Sequence, residues 1–301
     1  MRRGKPAACW LSPRKGEDAG LHPIDWGLGL GAGILQGVVE WLPVSSKTLV
    51  TLLLAGAGLP LGQAYALGLV ANFGSFFAAV FYFRRDLGTA LGALRRPLGP
   101  GEGPALLRYL VLATLMTGVV GLPLYIGMRR TFTLVGGSAG MLIVGLLLLV
   151  TAALARHRER RLRQAGAPGL RRNPRGWESL LTGACQGLAA LPGISRSGVT
   201  VTPLLGLGFD AAAALRLSFL LDVPALLGAG VVPMVLGHGG VRAVRDLGVG
   251  TTLVMLVTAA LVSFLAIGAV LGWARRLRTS LVTVIIAAVA IATALAGLLF
   301  A

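Results

Sequence analysis

Two short polar segments interrupt apolar sequence, and each carries a cation between hydroxyl side chains. Residues 42–51 and residues 191–200, 149 positions apart, share the pattern Leu-Pro-x-x-Ser-[Lys/Arg]-[Thr/Ser]-x-x-Thr, and a Gln-Gly pair precedes each copy at Gln36 and Gln186. Two fixed cations, several hydroxyls and positive helix ends all favour an anion, and the planar donor fork of Arg suits phosphate oxygens. The pattern therefore predicts an anion site whose candidate ligands are Ser45, Ser46, Lys47, Ser195, Arg196 and Ser197.

One acidic residue stands close to the first segment. Glu40 follows Gln36 by four positions, so a helix places both side chains on one face. Their oxygens can bind a hard divalent cation such as Mg²⁺ or Ca²⁺, which typically combines carboxylate and phosphate oxygens. Alternatively, Glu40 forms an ion pair with Lys47 or Arg196. The sequence leaves both roles open.

The composition indicates a membrane protein. Of 301 residues, 55% are hydrophobic and 13% are charged, whereas a soluble domain carries about 25% charged residues. The net charge of +17 does not indicate a nucleic-acid partner, because the basic residues form short clusters between long apolar runs. Two cysteines are too few for a disulfide framework, and the first twenty residues lack the apolar core of a signal peptide. We therefore predict an all-α polytopic protein of the cell membrane.

Eight apolar segments organise the chain. A spanning helix needs about 20 apolar residues, and six segments meet that requirement: 61–83, 106–127, 133–155, 211–237, 249–272 and 280–300. Segments 26–58 and 177–208 are each broken in the middle by the polar motif. Non-helical backbone at membrane depth persists only inside protein or along a wet cavity. We predict that both are re-entrant helix–loop–helix hairpins, the alternative being one interrupted span each.

Three spans separate the two hairpins, and an odd number inverts the second half relative to the first. The predicted fold is thus a basic tail over 1–25 and one membrane domain over 26–301, with inverted repeats at 26–155 and 177–300. Such repeats place their site near the bilayer midplane, where the breaks meet. Sixteen Lys and Arg residues fall in the loops on one side of the membrane and nine on the other side. Because the side richer in Lys and Arg is expected to be cytoplasmic, both termini are predicted to lie outside the cytoplasm. Arg216 and Asp222, inside the fourth span, are each expected to find a partner within the bundle.

These motifs resemble those of the undecaprenyl-diphosphatase family, membrane enzymes associated with bacitracin resistance. Residues 36–46 fit the family pattern [Glu/Gln]-x-x-x-Glu-x-Leu-Pro-x-Ser-Ser, and residues 192–200 fit Pro-Gly-x-Ser-Arg-Ser-x-x-Thr. Family-like sequence also occurs at 81–85 and at 218–221, and the resemblance extends over about 26–300.

The resemblance implies hydrolysis of a polyprenyl diphosphate to the monophosphate and inorganic phosphate, outside the cytoplasm and with a divalent cation. This reaction recycles the lipid carrier for peptidoglycan and other cell-envelope glycans. Carried over from the matching positions of the family motif, Gln36 and Glu40 would bind the cation or assist the attacking group. Ser46 would be the nucleophile or a phosphate ligand. The residues implied to hold the diphosphate are Ser195, Arg196 and Thr200.

The chain departs from the family pattern at one position. The family continues Ser-Ser-Thr-Gly-His, whereas this chain reads Ser-Ser-Lys-Thr-Leu, so that Leu49 replaces the histidine. Without an imidazole, the general base is Glu40 or a metal-bound water, and Lys47 supplies positive charge. The departure also favours an alternative function, a non-hydrolytic transporter of polyprenyl phosphate or another anion. Candidate partners are the lipid, the bilayer and a second copy of the chain, with nucleic acid excluded.

Overall fold

A computed structural model shows the arrangement of the helices. It describes residues 25–42, 45–134, 173–191, 194–207, 209, 211–235 and 239–273, with isolated helical positions between 146 and 161 and at 288 and 291. All regular secondary structure in these ranges is helical. The helices are α1 (Trp26–Val39), α2 (Ser46–Gly56), α3 (Leu61–Val70), α4 (Asn72–Tyr82), α5 (Arg84–Gly92), α6 (Glu102–Leu134), α7 (Gly176–Gly187), α8 (Arg196–Gly206), α9 (Ala211–Val235), α10 (Gly239–Leu247) and α11 (Val249–Trp273).

Four described helical segments are long and apolar enough to cross a membrane. They are Leu61–Tyr82, which joins α3 and α4, Glu102–Gly127, Ala212–Val235 and Val249–Gly272. These coincide with four of the six predicted spans, although the second begins four residues earlier than expected. The predicted spans 133–155 and 280–300 and the basic tail lie almost wholly outside the described residues.

The two remaining apolar segments are interrupted where the sequence predicts. In the first, α1 ends at Val39 and α2 begins at Ser46; in the second, α7 ends at Gly187 and α8 begins at Arg196 after a 3₁₀ turn over Leu188–Ala190. Each gap contains a proline, which cannot donate a helix hydrogen bond. Helix α1 contacts α2, and α7 contacts α8, so that each segment is a helix–break–helix unit whose two helices touch.

The two repeats interlock through their first helices. Helix α1 of the first repeat packs along α11 of the second, and α7 of the second packs along α6 of the first. The glycine of each Gln-Gly pair permits this approach: a Cβ on Gly37 would lie 2.7 Å from Cβ of Val262, and one on Gly187 would lie 2.6 Å from Cβ of Val120. Small residues commonly allow membrane helices to approach this closely. The interlock brings both breaks to the same region of the bundle.

A buried aromatic contact fixes the first break against the second repeat. Trp41 is fully buried, and its ring meets Phe219 of α9 edge to face, with a centroid separation of 5.0 Å. Such pairs stabilise by about 0.5–1.5 kcal/mol beyond their burial. Because Trp41 directly follows Glu40, this contact also holds the carboxylate at the site.

Candidate functional site

The two breaks border one cavity of about 240 Å³. Its polar end contains Glu40, Ser45, Ser46 and Lys47 from the first repeat and Arg196 from the second. Its walls come from α3, α6 and α9 and are largely apolar, the aliphatic lining residues being Leu69, Leu122, Ala225, Ala229 and Val232. The cavity can therefore hold a molecule with an anionic head and an apolar body.

Glu40 is the centre of the polar end. One carboxylate oxygen, Oε2, accepts hydrogen bonds from Gln36 Nε2 at 2.6 Å and from Ser46 Oγ. The other, Oε1, accepts from Arg196 Nη2 and forms an ion pair with it. The predicted pairing of Gln36 with Glu40 on one helix face is confirmed. The alternative that Glu40 pairs with Arg196 is also observed, and the same carboxylate contacts the Ser46 hydroxyl.

Arg196 lies between two carboxylates. It is the first residue of α8, and besides Glu40 it contacts Asp222 of α9, with 2.9 Å between Arg196 Nε and Asp222 Oδ1. Asp222 thus has the expected partner inside the bundle, and Arg216 has partners in Asp86 and Glu102. Asp222 was missing from the predicted site. The signal that could have found it was a carboxylate within an apolar span, where ionisable residues are costly.

Lys47 lies opposite Arg196 and contacts the second break. Its Nζ donates a hydrogen bond to the carbonyl oxygen of Ala189. This contact mirrors that of Arg196 with Glu40, because Ala189 is 149 positions after Glu40 and Arg196 is 149 positions after Lys47. In each repeat, the cationic side chain of the motif therefore contacts the equivalent position of the other repeat.

The predicted hydroxyl ligands fall into two groups. Ser45 and Ser46 line the cavity, and Ser45 Oγ lies 2.8 Å from Thr48 Oγ1. The other three are buried in α8 or just before it, outside the lining as far as the structure describes it: Ser195, Ser197 and Thr200. Ser197 Oγ donates to the Leu42 carbonyl at 2.7 Å. Thr200 Oγ1 lies 2.5 Å from Ser218 Oγ. In the structure, this second group connects the elements around Arg196.

Leu49 stands where the family resemblance expects histidine. It is buried in α2, one turn after the Ser45–Ser46 pair. Within the described residues, no imidazole lines the cavity. The carboxylate that contacts the Ser46 hydroxyl is Glu40, which makes it the candidate base.

The first repeat also offers oxygen atoms to a divalent cation. Gln36 Nε2 lies within hydrogen-bonding distance of Glu40, Asn72 Oδ1 (3.1 Å) and Ser75 Oγ (3.2 Å), whereas the buried Gln36 Oε1 has no hydrogen-bond partner. In the described part of the chain, no three His, Cys, Asp or Glu residues cluster as metal ligands. These donors fit a cation held by one carboxylate and by substrate phosphates, as is common for Mg²⁺. They do not form a cage made only of protein ligands.

Comparison with known proteins identifies the family of the chain. Residues 30–293 match the family model described as Bacitracin resistance protein BacA. A protein of Saccharolobus islandicus named undecaprenyl-diphosphatase is 37% identical over 251 residues, covering 82% of this chain and 88% of the relative. A protein of the same name from Pyrobaculum aerophilum is 37% identical over 284 residues, covering 92% of this chain and 100% of the relative.

Proposed function

The chain belongs to the bacitracin resistance protein BacA family, and we propose that it is a membrane phosphatase acting on undecaprenyl diphosphate. It hydrolyses this lipid, or a related polyprenyl diphosphate, to the monophosphate and inorganic phosphate. The observation that carries the proposal is the contact of Glu40 with both Ser46 and Arg196 at the polar end of a cavity with apolar walls. The names of the curated relatives support the same substrate.

The cavity matches the two parts of such a lipid. A diphosphate headgroup fits the end that contains Lys47 and Arg196, while the first prenyl units follow the aliphatic wall between α6 and α9. Arg196 keeps free N–H groups for phosphate oxygens, because its five donors exceed the two contacts that it makes with Glu40 and Asp222. Lys47 adds a compact positive charge from the opposite side.

Phosphoryl transfer depends mainly on positioning and on charge stabilisation. In the proposed reaction, Ser46 Oγ attacks the terminal phosphorus as Glu40 accepts the Ser46 proton. The bond from this phosphorus to the bridging oxygen breaks, and the lipid monophosphate leaves. Water then hydrolyses the phosphoserine, which releases inorganic phosphate and restores Ser46. Arg196 stabilises the charge on the transferred group throughout.

The charge balance of the site supports a divalent cation as cofactor. Among the described residues that line the polar end of the cavity or contact Arg196, the cations Lys47 and Arg196 are balanced by Glu40 and Asp222. A diphosphate brings further negative charge, and uncompensated charge is costly in a low-dielectric site. Glu40 and Gln36 Oε1 would hold Mg²⁺ or Ca²⁺ together with phosphate oxygens. When bound, the cation would neutralise negative charge on the phosphate oxygens.

The membrane arrangement is part of the proposal. Six spans, two re-entrant hairpins and an inverted repeat would place the site near the midplane of the cell membrane, opening to the extracytoplasmic side. The reciprocal contacts of Lys47 and Arg196 support this pseudo-symmetry, and the distribution of Lys and Arg supports the orientation. A single membrane domain over 26–301 after a short tail, and assembly as a homodimer, stay predictions.

The test is phosphate release from undecaprenyl diphosphate by the purified protein in detergent. We expect turnover with Mg²⁺ or Ca²⁺ and its loss in EDTA, with Glu40→Gln as the inactive control. No release by the wild-type protein with any cation, while it still binds the lipid, would contradict the phosphatase. That result would favour the anion transporter, which the broken helices of the interlocked repeats also suit.

A further inference from the structure

A fully buried carboxylate lies just behind the polar end of the cavity. Asp222 is 0% exposed and belongs to α9, two residues before the cavity-lining Pro224. Within the described residues, Asp222 itself does not line the cavity, and neither of its carboxylate oxygens has a hydrogen-bond partner. Its contact with Arg196 is an ion pair. A carboxylate inside a spanning helix is costly and therefore indicates a function.

The partner of Asp222 is the residue that faces the headgroup. Asp222 Oδ1 lies 2.9 Å from Arg196 Nε, and Arg196 Nη2 contacts Glu40 on the other side. Because the guanidinium is planar and rigid, two contacts at different nitrogens fix both its position and the direction of its remaining N–H groups. A single contact with Glu40 would leave the plane free to rotate.

The two repeats differ at the position of Asp222. Asn72 precedes Asp222 by 150 residues, the same separation as between Gln36 and Gln186, and it accepts a hydrogen bond from Gln36. The first repeat thus has an amide where the second has a charge. The difference matches the type of cation in each repeat. Arg196 of the second repeat has a planar guanidinium whose orientation matters, whereas the ammonium group of Lys47 in the first repeat has no plane to orient.

A contribution to stability does not by itself explain why a carboxylate is buried at Asp222. Replacing buried ion pairs with well-packed apolar residues is often neutral or stabilising, because desolvation offsets the attraction. We propose that Asp222 is a positioning residue, which holds the Arg196 guanidinium in the orientation that stabilises charge on the transferred phosphoryl group. This inference rests on the proposed phosphatase activity and adds a residue to its site.

The test is a double-mutant cycle between Asp222 and Arg196. Asp222→Asn keeps the size of the side chain and removes the charge, so kcat should fall about 10- to 100-fold, the range for removing one partner of a buried charged contact. KM should change much less, because the charge acts on the transition state. In the R196K background, which has no Nε donor, D222N should reduce kcat less than about threefold, because coupled residues are not additive.

A matched control separates positioning from packing. Thr182→Val removes a buried hydrogen bond within α7, from Thr182 Oγ1 to the Glu178 carbonyl at 2.7 Å, without touching Arg196 or Asp222. It should keep wild-type kcat. Wild-type kcat in D222N would overturn the inference, and so would an equal loss from D222N in both backgrounds. If D222N does not fold, Asp222→Glu moves the carboxylate by one methylene and should show the same dependence on Arg196.

A binding measurement distinguishes failure of this inference from failure of the proposed function. The probe is orthovanadate, which adopts the trigonal-bipyramidal geometry of a phosphoryl group in transfer and whose affinity does not depend on turnover. D222N should weaken its binding in the wild-type background and leave it unchanged in the R196K background. If the wild-type protein hydrolyses nothing, this pattern would still support the positioning role, and equal affinities in all four proteins would overturn it.

Discussion

Glu40→Gln is the sharpest test of the chemistry, because this one carboxylate contacts both the proposed nucleophile, Ser46, and Arg196. Glu40 accepts from Gln36, Ser46 and Arg196 and is almost fully buried. Glutamine keeps the length and one acceptor oxygen. It loses the negative charge and replaces the other acceptor with a donor, which then faces groups that are themselves donors. The variant therefore removes the base while keeping the shape of the site.

The expected loss follows from these contacts. Removing an essential general base typically lowers the rate by about 10²–10⁴-fold, which corresponds to roughly 3–6 kcal/mol of transition-state stabilisation at about 1.4 kcal/mol per tenfold. Lys47 and Arg196 still face the cavity, so the headgroup should bind. We expect kcat to fall by this factor in the phosphate-release assay, while affinity for a probe that mimics the bound substrate, a non-hydrolysable prenyl methylene-bisphosphonate, stays within a few-fold.

The matched control is Thr252→Val. Thr252 is similarly buried, but its hydroxyl donates to the carbonyl of Gly248, the residue just before its own helix, at 3.0 Å, so kcat should not change. Wild-type turnover in Glu40→Gln would refute the assignment of Glu40 as base or cation ligand. Loss of both turnover and probe binding, with a cooperative thermal transition retained, would instead show that Glu40 organises the binding site.

Four further outcomes follow. Ser46→Ala should leave almost no activity and no ³²P-labelled phosphoenzyme if Ser46 is the nucleophile, whereas about one tenth of the activity, near 1.4 kcal/mol, would make it a phosphate ligand. Arg196→Lys keeps the charge without the bidentate fork, so kcat should drop sharply while the protein still folds; near-normal turnover would remove Arg196 from the site. Leu49→His restores the family pattern and should be tolerated or activating, and an inactive but folded variant would contradict the proposed alignment of α2 with the cavity. Cysteines at Arg161 and Arg129, in a background without native cysteines, should react with impermeant reagents from opposite faces of the membrane, and labelling from one face would contradict the predicted topology.

The sequence predicted the parts of the fold that local chemistry determines. Four spans follow from apolar runs of sufficient length, and the breaks follow from proline and polar residues within them. The repeat spacing of 149 to 150 residues indicated that both breaks would meet at one site. Gln36 and Glu40 were predictable as a pair because helix periodicity alone brings their side chains together.

Contacts between elements that are distant in the chain could not be predicted from the sequence in this way. Asp222 contacts Arg196 because α8 and α9 pack at one particular rotation, and no periodicity in the sequence encodes that rotation. Thr200 shows the same limit: the motif suggests a phosphate ligand, whereas its hydroxyl lies against Ser218 of the neighbouring helix. A repeated motif specifies which residues gather at a site. It does not specify which of them face the cavity.

The reciprocal contacts of the two repeats also explain how a symmetric architecture can support an asymmetric reaction. Arg196 reaches a carboxylate, whereas Lys47 reaches the carbonyl of Ala189 at the equivalent position. A carbonyl oxygen carries only a partial charge, so a phosphate oxygen competes for Lys47 more readily than for the charged contact between Arg196 and Glu40. Lys47 is therefore the cation that can exchange its partner when the headgroup enters. Arg196 stays beside the base, and the chemistry is concentrated on the side of the cavity where Glu40 and Ser46 meet.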